Sequence, residues 1–319
     1  MSIARIITVL GATGQQGGGL MRAILRDPER RFAVRAVTRD PHSERARALA
    51  RIGAELVAAD LDDPPSLERA FDGAYGAFCV TFFWAHFSPE REIAQARTMA
   101  AAARRAGLQH VIWSTLEDTR QWVALEDQRI PTLMGTYKVP HMDAKAEANH
   151  VFLDAGVPTT FLVTSFFWEN FISFGMGPRP GPDGDLVLAL PLMGQPLAGI
   201  AAEDIGKCAY RLFQRGEAAI GQTVGIAGEH LTGDQMAAGF AQALDRPVHF
   251  ADLPPDVYRS LGFPGAVELG NMFQIEAEHA AAVLSARDLT RTRDLNPELQ
   301  TFSAWLAEHR GLLPMVSDA

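Results

Sequence analysis

The stretch Ile6-Ile7-Thr8-Val9-Leu10-Gly11-Ala12-Thr13-Gly14-Gln15-Gln16-Gly17 decides how this chain folds. A β-favouring run ends in a glycine, and two further glycines follow at spacings of three. Residues 18–26 then continue as an amphipathic segment with Leu20, Ile24 and Leu25 on one face. Strand, glycine turn and helix in that order open a dinucleotide-binding βαβ unit. The first glycine permits the sharp turn, the second lets backbone amides approach a pyrophosphate, and the third allows close helix–strand packing. The helix start presents N–H groups and a partial positive charge to the anion.

The alternation continues outward from this unit. Strand-like runs at 32–38, 55–58, 77–80 and 111–113 are separated by helical segments at 43–52, 65–71 and 89–105. Strands alternating with helices imply parallel pairing through right-handed crossovers. Beyond Ser114 the rhythm breaks. Residues 117–140 read as a polar, irregular excursion containing Pro131 and Pro140. A helix at 141–155 leads to a sixth strand at 159–164, and the Pro- and Gly-rich segment 175–199 reads as loops and a small hairpin. Helices near 202–215, 232–244 and 297–309 and a short strand at 223–226 complete the reading. The expected fold class is α/β: a Rossmann-type, doubly wound parallel sheet with a smaller C-terminal α+β lobe. The sheet domain is expected over 1–160, with a segment returning at about 200–228. The lobe, 161–199 and 229–319, would close a cleft over the carboxyl ends of the strands.

Composition narrows the function. The 319 residues carry a formal charge of −9, so the overall field repels phosphate backbones and disfavours direct nucleic-acid binding. Two cysteines, Cys79 and Cys208, cannot make a disulfide framework or a Cys-based zinc site, and they read as buried thiols. The nine histidines show no metal-ligand spacing, so no metal is expected. No window approaches roughly 18 uninterrupted apolar residues, so no membrane span is expected. Met1-Ser2-Ile3-Ala4-Arg5 runs straight into the first strand, which leaves no room for a signal peptide and points to a cytoplasmic protein. Arg-rich stretches at 45–51 and 287–293 carry nearby acids and read as solvated helix faces.

The end of the second strand bears on cofactor choice. An acidic residue there would serve the ribose 2′-OH of NAD(H). This chain has Val37-Thr38-Arg39-Asp40-Pro41, and the Arg39 guanidinium can fork onto the 2′-phosphate of NADP(H). Asp40 is the competing signal, either for a 2′-OH or as a partner of Arg39. NADP(H) is therefore favoured over NAD(H). Asp60, with Leu61 beside it, stands after the third strand where it can touch the adenine edge, or simply end a turn. Thr81-Phe82-Phe83 follows the fourth strand and either lines the cofactor's ribose side or packs into the core.

The chain resembles the NmrA-like family, an atypical branch of the short-chain dehydrogenase superfamily, and is most similar to its NADP-sensing members. The resemblance rests on residues 11–18, on Val37-Thr38-Arg39-Asp40-Pro41 and on Gly73-Ala74-Tyr75. It continues in His141-Met142-Asp143-Ala144-Lys145, Trp168-Glu169-Asn170, Leu261-Gly262-Phe263-Pro264-Gly265-Ala266 and Asn271-Met272-Phe273. What it implies is NADP(H) held between two lobes. The implied contacts come from Gly11, Ala12, Thr13, Gly14, Gln15, Gln16, Arg39, Thr81, Phe82, Phe83 and Lys145, and from Phe167, Trp168, Glu169 and Asn170. Two basic positions of the family are replaced, by Ser43 and around Ala94, which removes positive charge from the phosphate region.

Conventional members of that superfamily use Tyr-x-x-x-Lys, a pairing this chain lacks. Tyr137, His141 and Lys145 follow at intervals of four, but Pro140 argues that Tyr137 lies outside the helix. Lys145 can hold the nicotinamide ribose or act as a general acid. His141 can donate a proton near neutral pH, and Ser114 stands where a substrate-positioning hydroxyl sits. No Gly-x-Ser-x-Gly elbow is present. Two functions follow. The favoured one is a non-catalytic NADP(H) sensor read by a protein partner or by a second copy in a homodimer. The other is an NADPH-dependent reductase whose small organic substrate lies against Phe83, Trp84, Phe167 and Trp168, with its proton from Lys145, His141 or water.

Overall fold

The computed structural model describes residues 4–181 and 183–313, which divide into two compact units. The first unit holds residues up to 118 together with 141–164 and 202–224. Its strands are β1 (Arg5–Val9), β2 (Phe32–Thr38), β3 (Glu55–Ala58), β4 (Gly76–Cys79), β5 (His110–Thr115) and β6 (Thr159–Val163). With Thr223–Gly225 at one edge they form a seven-stranded sheet whose order continues β6, β5, β4, β1, β2, β3. Neighbouring strands from β3 to β6 pair in parallel, in registers such as Ile7 opposite Val34 and Val9 opposite Phe78. The order reverses between β1 and β4, and in doubly wound sheets ligands bind outside the carboxyl ends at such a reversal. This is the doubly wound, Rossmann-type α/β fold expected from the sequence.

The crossovers are α1 (Gln15–Arg26), α2 (Glu44–Arg51), α3 (Pro64–Phe71), α4 (Pro89–Arg105) and α5 (Pro140–Asp154). Local chemistry sets their starts. Ser43 accepts from the Ala46 amide at 3.3 Å and caps α2, and Ser88 caps α4 ahead of Pro89. Ser43 thus serves this unit as a helix cap. α5 begins at Pro140, so Tyr137 stands outside it and shares no helix face with His141 and Lys145, which lie four residues apart on α5. Leu10, Val37, Leu67, Phe71, Met99, Trp113 and Phe152 belong to one continuous core on the sheet. Cys79 and Cys208 are buried and free, and burial pushes both thiols up from their ordinary range.

The second unit contains 119–140, 165–201 and the described residues from 225 onward. Leu197–Ile200 pairs with Phe166–Phe167 and Glu229–Leu231, while Leu186–Leu190 pairs with Arg179–Pro180 and Val248–Asp252. The hairpin in 175–199 is therefore present. The short partner strands lack a period of their own and are not legible in the sequence, and neither are the helices Ala266–Glu278, Ala280–Ala286 and Leu289–Leu295. The last helix is only Phe302–His309, because the Thr301 hydroxyl caps it by accepting from the Ala304 amide at 3.2 Å.

Two readings need correcting here. The excursion 119–140, grouped with the sheet domain on sequence order, packs with the second unit. Lys138 is buried and donates to the carbonyls of Leu125 (3.0 Å), Asp127 (2.9 Å) and Ile130 (2.6 Å). Asn271, also buried, donates to the carbonyls of Pro131 (2.8 Å) and Lys138 (2.7 Å). This is the physical work of the Asn271-Met272-Phe273 motif. Secondly, the 287–293 stretch is not a solvated face throughout: Arg287 is buried, its Nη1 donating to the Val283 carbonyl at 3.3 Å. Among the described residues no helix is long and apolar enough to cross a membrane, and no cluster of His, Cys, Asp or Glu could hold a metal ion.

Candidate functional site: the carboxyl ends of β1 to β5

The glycine loop has the geometry its spacing requires. Gly11 adopts φ +63°, the left-handed region that L side chains disfavour, and its carbonyl accepts from the Gly14 amide at 2.9 Å. Gly14 is the N-cap of α1, with extended backbone and no side-chain cap, and the first turn holds no acid. A Cβ on Gly14 would approach the Gly11 carbonyl to 3.1 Å, and one on Gly17 would run into it. Gly19 serves packing instead, since a Cβ there would lie 2.7 Å from the Glu203 carbonyl. Its bareness lets α1 sit against the helix Ala202–Arg215. An uncapped helix start, free of carboxylates and lined by glycine, fits a pyrophosphate.

Arg39 is exposed just beyond β2 and has no hydrogen bond or ion pair among the described residues. Asp40 does not pair with it. Its Oδ1 instead accepts from the His42 amide (2.8 Å), and its carbonyl accepts from Ser43 Oγ (2.9 Å). The guanidinium is thus available to an anion, while Asp40 shapes the turn. The Asp60 carboxylate likewise accepts locally, from the Asp62 amide at 2.9 Å, and Leu61 packs against the core.

Thr81, Phe82 and Phe83 part ways. Phe82 is 59% exposed and Phe83 only 1%, its ring 5.7 Å from Trp84 and 6.1 Å from His141. The His141 ring, on the first turn of α5, lies 4.9 Å from that of Trp84. Thr81 joins a charged cluster. Lys145 Nζ on α5 lies 2.7 Å from Glu92 Oε1 and donates to Thr81 Oγ1 (2.5 Å) and, more weakly, to the Thr81 carbonyl (3.3 Å). The Thr81 hydroxyl donates in turn to Glu92. Nζ also stands 5.3 Å above the Trp113 ring. Behind this pair, His86 Nε2 is 3.3 Å from Glu92 Oε2, and His86 Nδ1 accepts from the Ser88 amide at 3.1 Å. Nδ1 therefore carries no proton, while Nε2 and Glu92 Oε2 lie within ion-pair distance but make no hydrogen bond to each other. Burial is the main cause holding the imidazole below its ordinary pKa.

Sequence reasoning misses Glu92 and His86, although a signal for Glu92 exists. It occupies the same face of α4 as Ala96, Met99 and Ala103, all buried, so an acid interrupts an apolar stripe. An acid in a first helical turn is ordinarily read as a dipole partner, which hides this. Ser114 does not stand free for a substrate, since its hydroxyl donates to Gln16 Oε1 at 2.8 Å.

In the second unit, Phe167 opposes Ile200 in a two-residue strand. The Trp168 indole is buried against Gly199, Phe302 and Trp305, so its side chain belongs to that unit's core. Glu169 accepts from Trp305 Nε1 at 3.1 Å, and Asn170 opens a one-turn helix.

The fold and the glycine loop define a dinucleotide-binding protein class. Residues 4–306 match the model of the NmrA-like family, and the chain belongs to that family. The NmrA-like family domain-containing oxidoreductase himF of Aspergillus japonicus is 34% identical over 203 residues, covering 60% of this chain but only 57% of that protein. FrzB of a Cladobotryum species, named as an oxidoreductase of the same family, is 27% identical over 287 residues, covering 84% of this chain and 82% of FrzB. Among solved structures, the negative transcriptional regulator NmrA in complex with NADP superposes with a TM-score of 0.77 at 24% identity, covering 96% of this chain and 95% of NmrA. The complex of NmrA with NAD gives the same values. At that identity the likeness to NmrA speaks to the fold.

Proposed function

We propose that this protein is an NADP(H)-dependent oxidoreductase acting on a small organic substrate. The observation that carries this reading is the Lys145 ammonium held by Glu92 and Thr81 at the carboxyl ends of β4 and β5, one helical turn from His141, whose ring lies near those of Phe83 and Trp84. The glycine loop would take the pyrophosphate, and Arg39, unpaired among the described residues, would take the 2′-phosphate. Lys145 would hold the nicotinamide ribose by exchanging its 3.3 Å bond to the Thr81 carbonyl for a ribose hydroxyl. The reduced dinucleotide, when bound, supplies a hydride. His141 gives the matching proton to the substrate atom that gains the electron pair, so that a C=X bond ends with one hydride and one proton. Trp84 and exposed Phe82 offer apolar ring faces to such a substrate. Relatives named as oxidoreductases favour the same class.

A sensor reading is favoured by one specific observation: Tyr137 lies outside α5, so Lys145 has no tyrosine partner on its helix. Turnover separates the two. NADPH consumption is measured against aldehydes, quinones, imines and enones, with His141→Asn as control. The proposal expects consumption with at least one class and a loss of roughly a hundredfold or more in His141→Asn, at unchanged NADPH affinity. No turnover across the panel, together with a cofactor-dependent change in oligomer size, would establish the sensor instead.

A further inference from the structure

Glu92 is fully buried, yet it faces two basic groups from different elements: Lys145 of α5 at Oε1 and His86 of the loop after β4 at Oε2. Burying a carboxylate is costly, and an ion pair in such surroundings generally does not repay that cost in stability. The arrangement here leaves the ammonium little freedom. Glu92 takes one of its protons and Thr81 Oγ1 another, and Thr81 is itself oriented by donating to Glu92. Trp113 closes the approach beneath Nζ. His86 stands behind the carboxylate, its Nε2 3.3 Å from the far oxygen of Glu92 with no hydrogen bond between them. Arg91 is drawn away by Asp62, at 2.5 Å, so the neighbouring guanidinium does not compete for Glu92.

We infer that Glu92 is the positioning residue for Lys145: it fixes the ammonium where a bound dinucleotide's ribose meets it, and Lys145 binds the cofactor only through that support. The inference rests on the dinucleotide reading of the site but not on turnover. Glu92 touches neither cofactor nor substrate.

The test is a double-mutant cycle on NADPH affinity, read by the fluorescence of the bound cofactor, with thermal unfolding of the cofactor-free protein measured alongside. Lys145→Met and Glu92→Gln are each expected to weaken NADPH by roughly tenfold. The double variant should bind no more weakly than Lys145→Met, since Glu92 has no effect once its client is gone. Lys145→Met alone strands the fully buried Glu92 carboxylate and should melt early, and the double variant should recover part of that loss. If Glu92→Gln fails to fold, the comparison of the double variant with Lys145→Met still decides. Equal affinity supports the inference, and a further loss overturns it. Wild-type affinity in Glu92→Gln, or losses that multiply in the double variant, also overturn it. A wild-type protein that binds NADPH but reduces nothing removes the oxidoreductase reading and leaves this one intact. A wild-type protein that binds no dinucleotide removes both.

Discussion

The Ser114 hydroxyl donates to Gln16 Oε1 at 2.8 Å, tying the end of β5 to the first turn of α1. That bond joins the substrate-side strand to the glycine loop, two features the sequence treats as separate. Ser114→Ala should therefore act on cofactor affinity. One neutral hydrogen bond is worth about 1 kcal/mol, so NADPH binding should weaken about fivefold. An unchanged affinity with a large loss of turnover would return Ser114 to the substrate.

Arg39 should decide between the two dinucleotides. Its guanidinium has no partner among the described residues, so its removal disturbs nothing else. Arg39→Ala should cost NADP(H) affinity by about 1.5–3 kcal/mol, the range for a hydrogen bond to a charged group, and leave NAD(H) affinity unchanged. Titration with both cofactors checks this. Equal losses would show that Arg39 does not meet the 2′-phosphate.

Lys138 should control the integrity of 119–140. Burial holds its ammonium below the ordinary lysine pKa, and three carbonyls take its protons. Lys138→Met would leave those acceptors without their donor and destabilise the second unit by about 2–4 kcal/mol. Limited proteolysis should then cut within 119–140 first. Wild-type resistance would show that the other ties, those of Asn271 and Arg259 among them, hold the segment without Lys138.

His110 gives the fold a pH dependence. Its Nε2 lies 2.8 Å from Thr160 Oγ1, and that hydroxyl already donates to the Ala219 carbonyl, so Nε2 must be the donor. Nδ1 is then buried without a hydrogen-bond partner among the described residues, and burial pushes the pKa from 6.5 down to about 4. The unfolded chain takes up a proton first on acidification. Stability is therefore fully present above pH 6.5 and falls as the pH drops from there toward about 4. The total is about 3 kcal/mol. Chemical denaturation across that window should show the slope, and His110→Gln should flatten it.

Much of the first unit was legible because its signals are local. β2, β3 and α4 lie where the pattern places them, and Pro140 alone was enough to put Tyr137 outside α5. The glycine loop is legible for the same reason, since each glycine answers a backbone constraint within a few residues. Legibility fails where partners are distant. Glu92 looks like any acid opening a helix until Lys145 is brought to it from 53 positions away by folding. Arg287 looks solvated until the second unit closes around it. The strands Phe166–Phe167 and Glu229–Leu231 have too few residues to show a period, and they exist only because Leu197–Ile200 pairs with both.

The order of residues by itself determined the doubly wound sheet, the phosphate loop and the guanidinium beyond β2. Periodicity, glycine stereochemistry and helix capping act over short spans of chain. Only the tertiary structure decided what surrounds Lys145. A buried charge is set by whichever groups share its low-dielectric neighbourhood, and here those groups come from three separate segments.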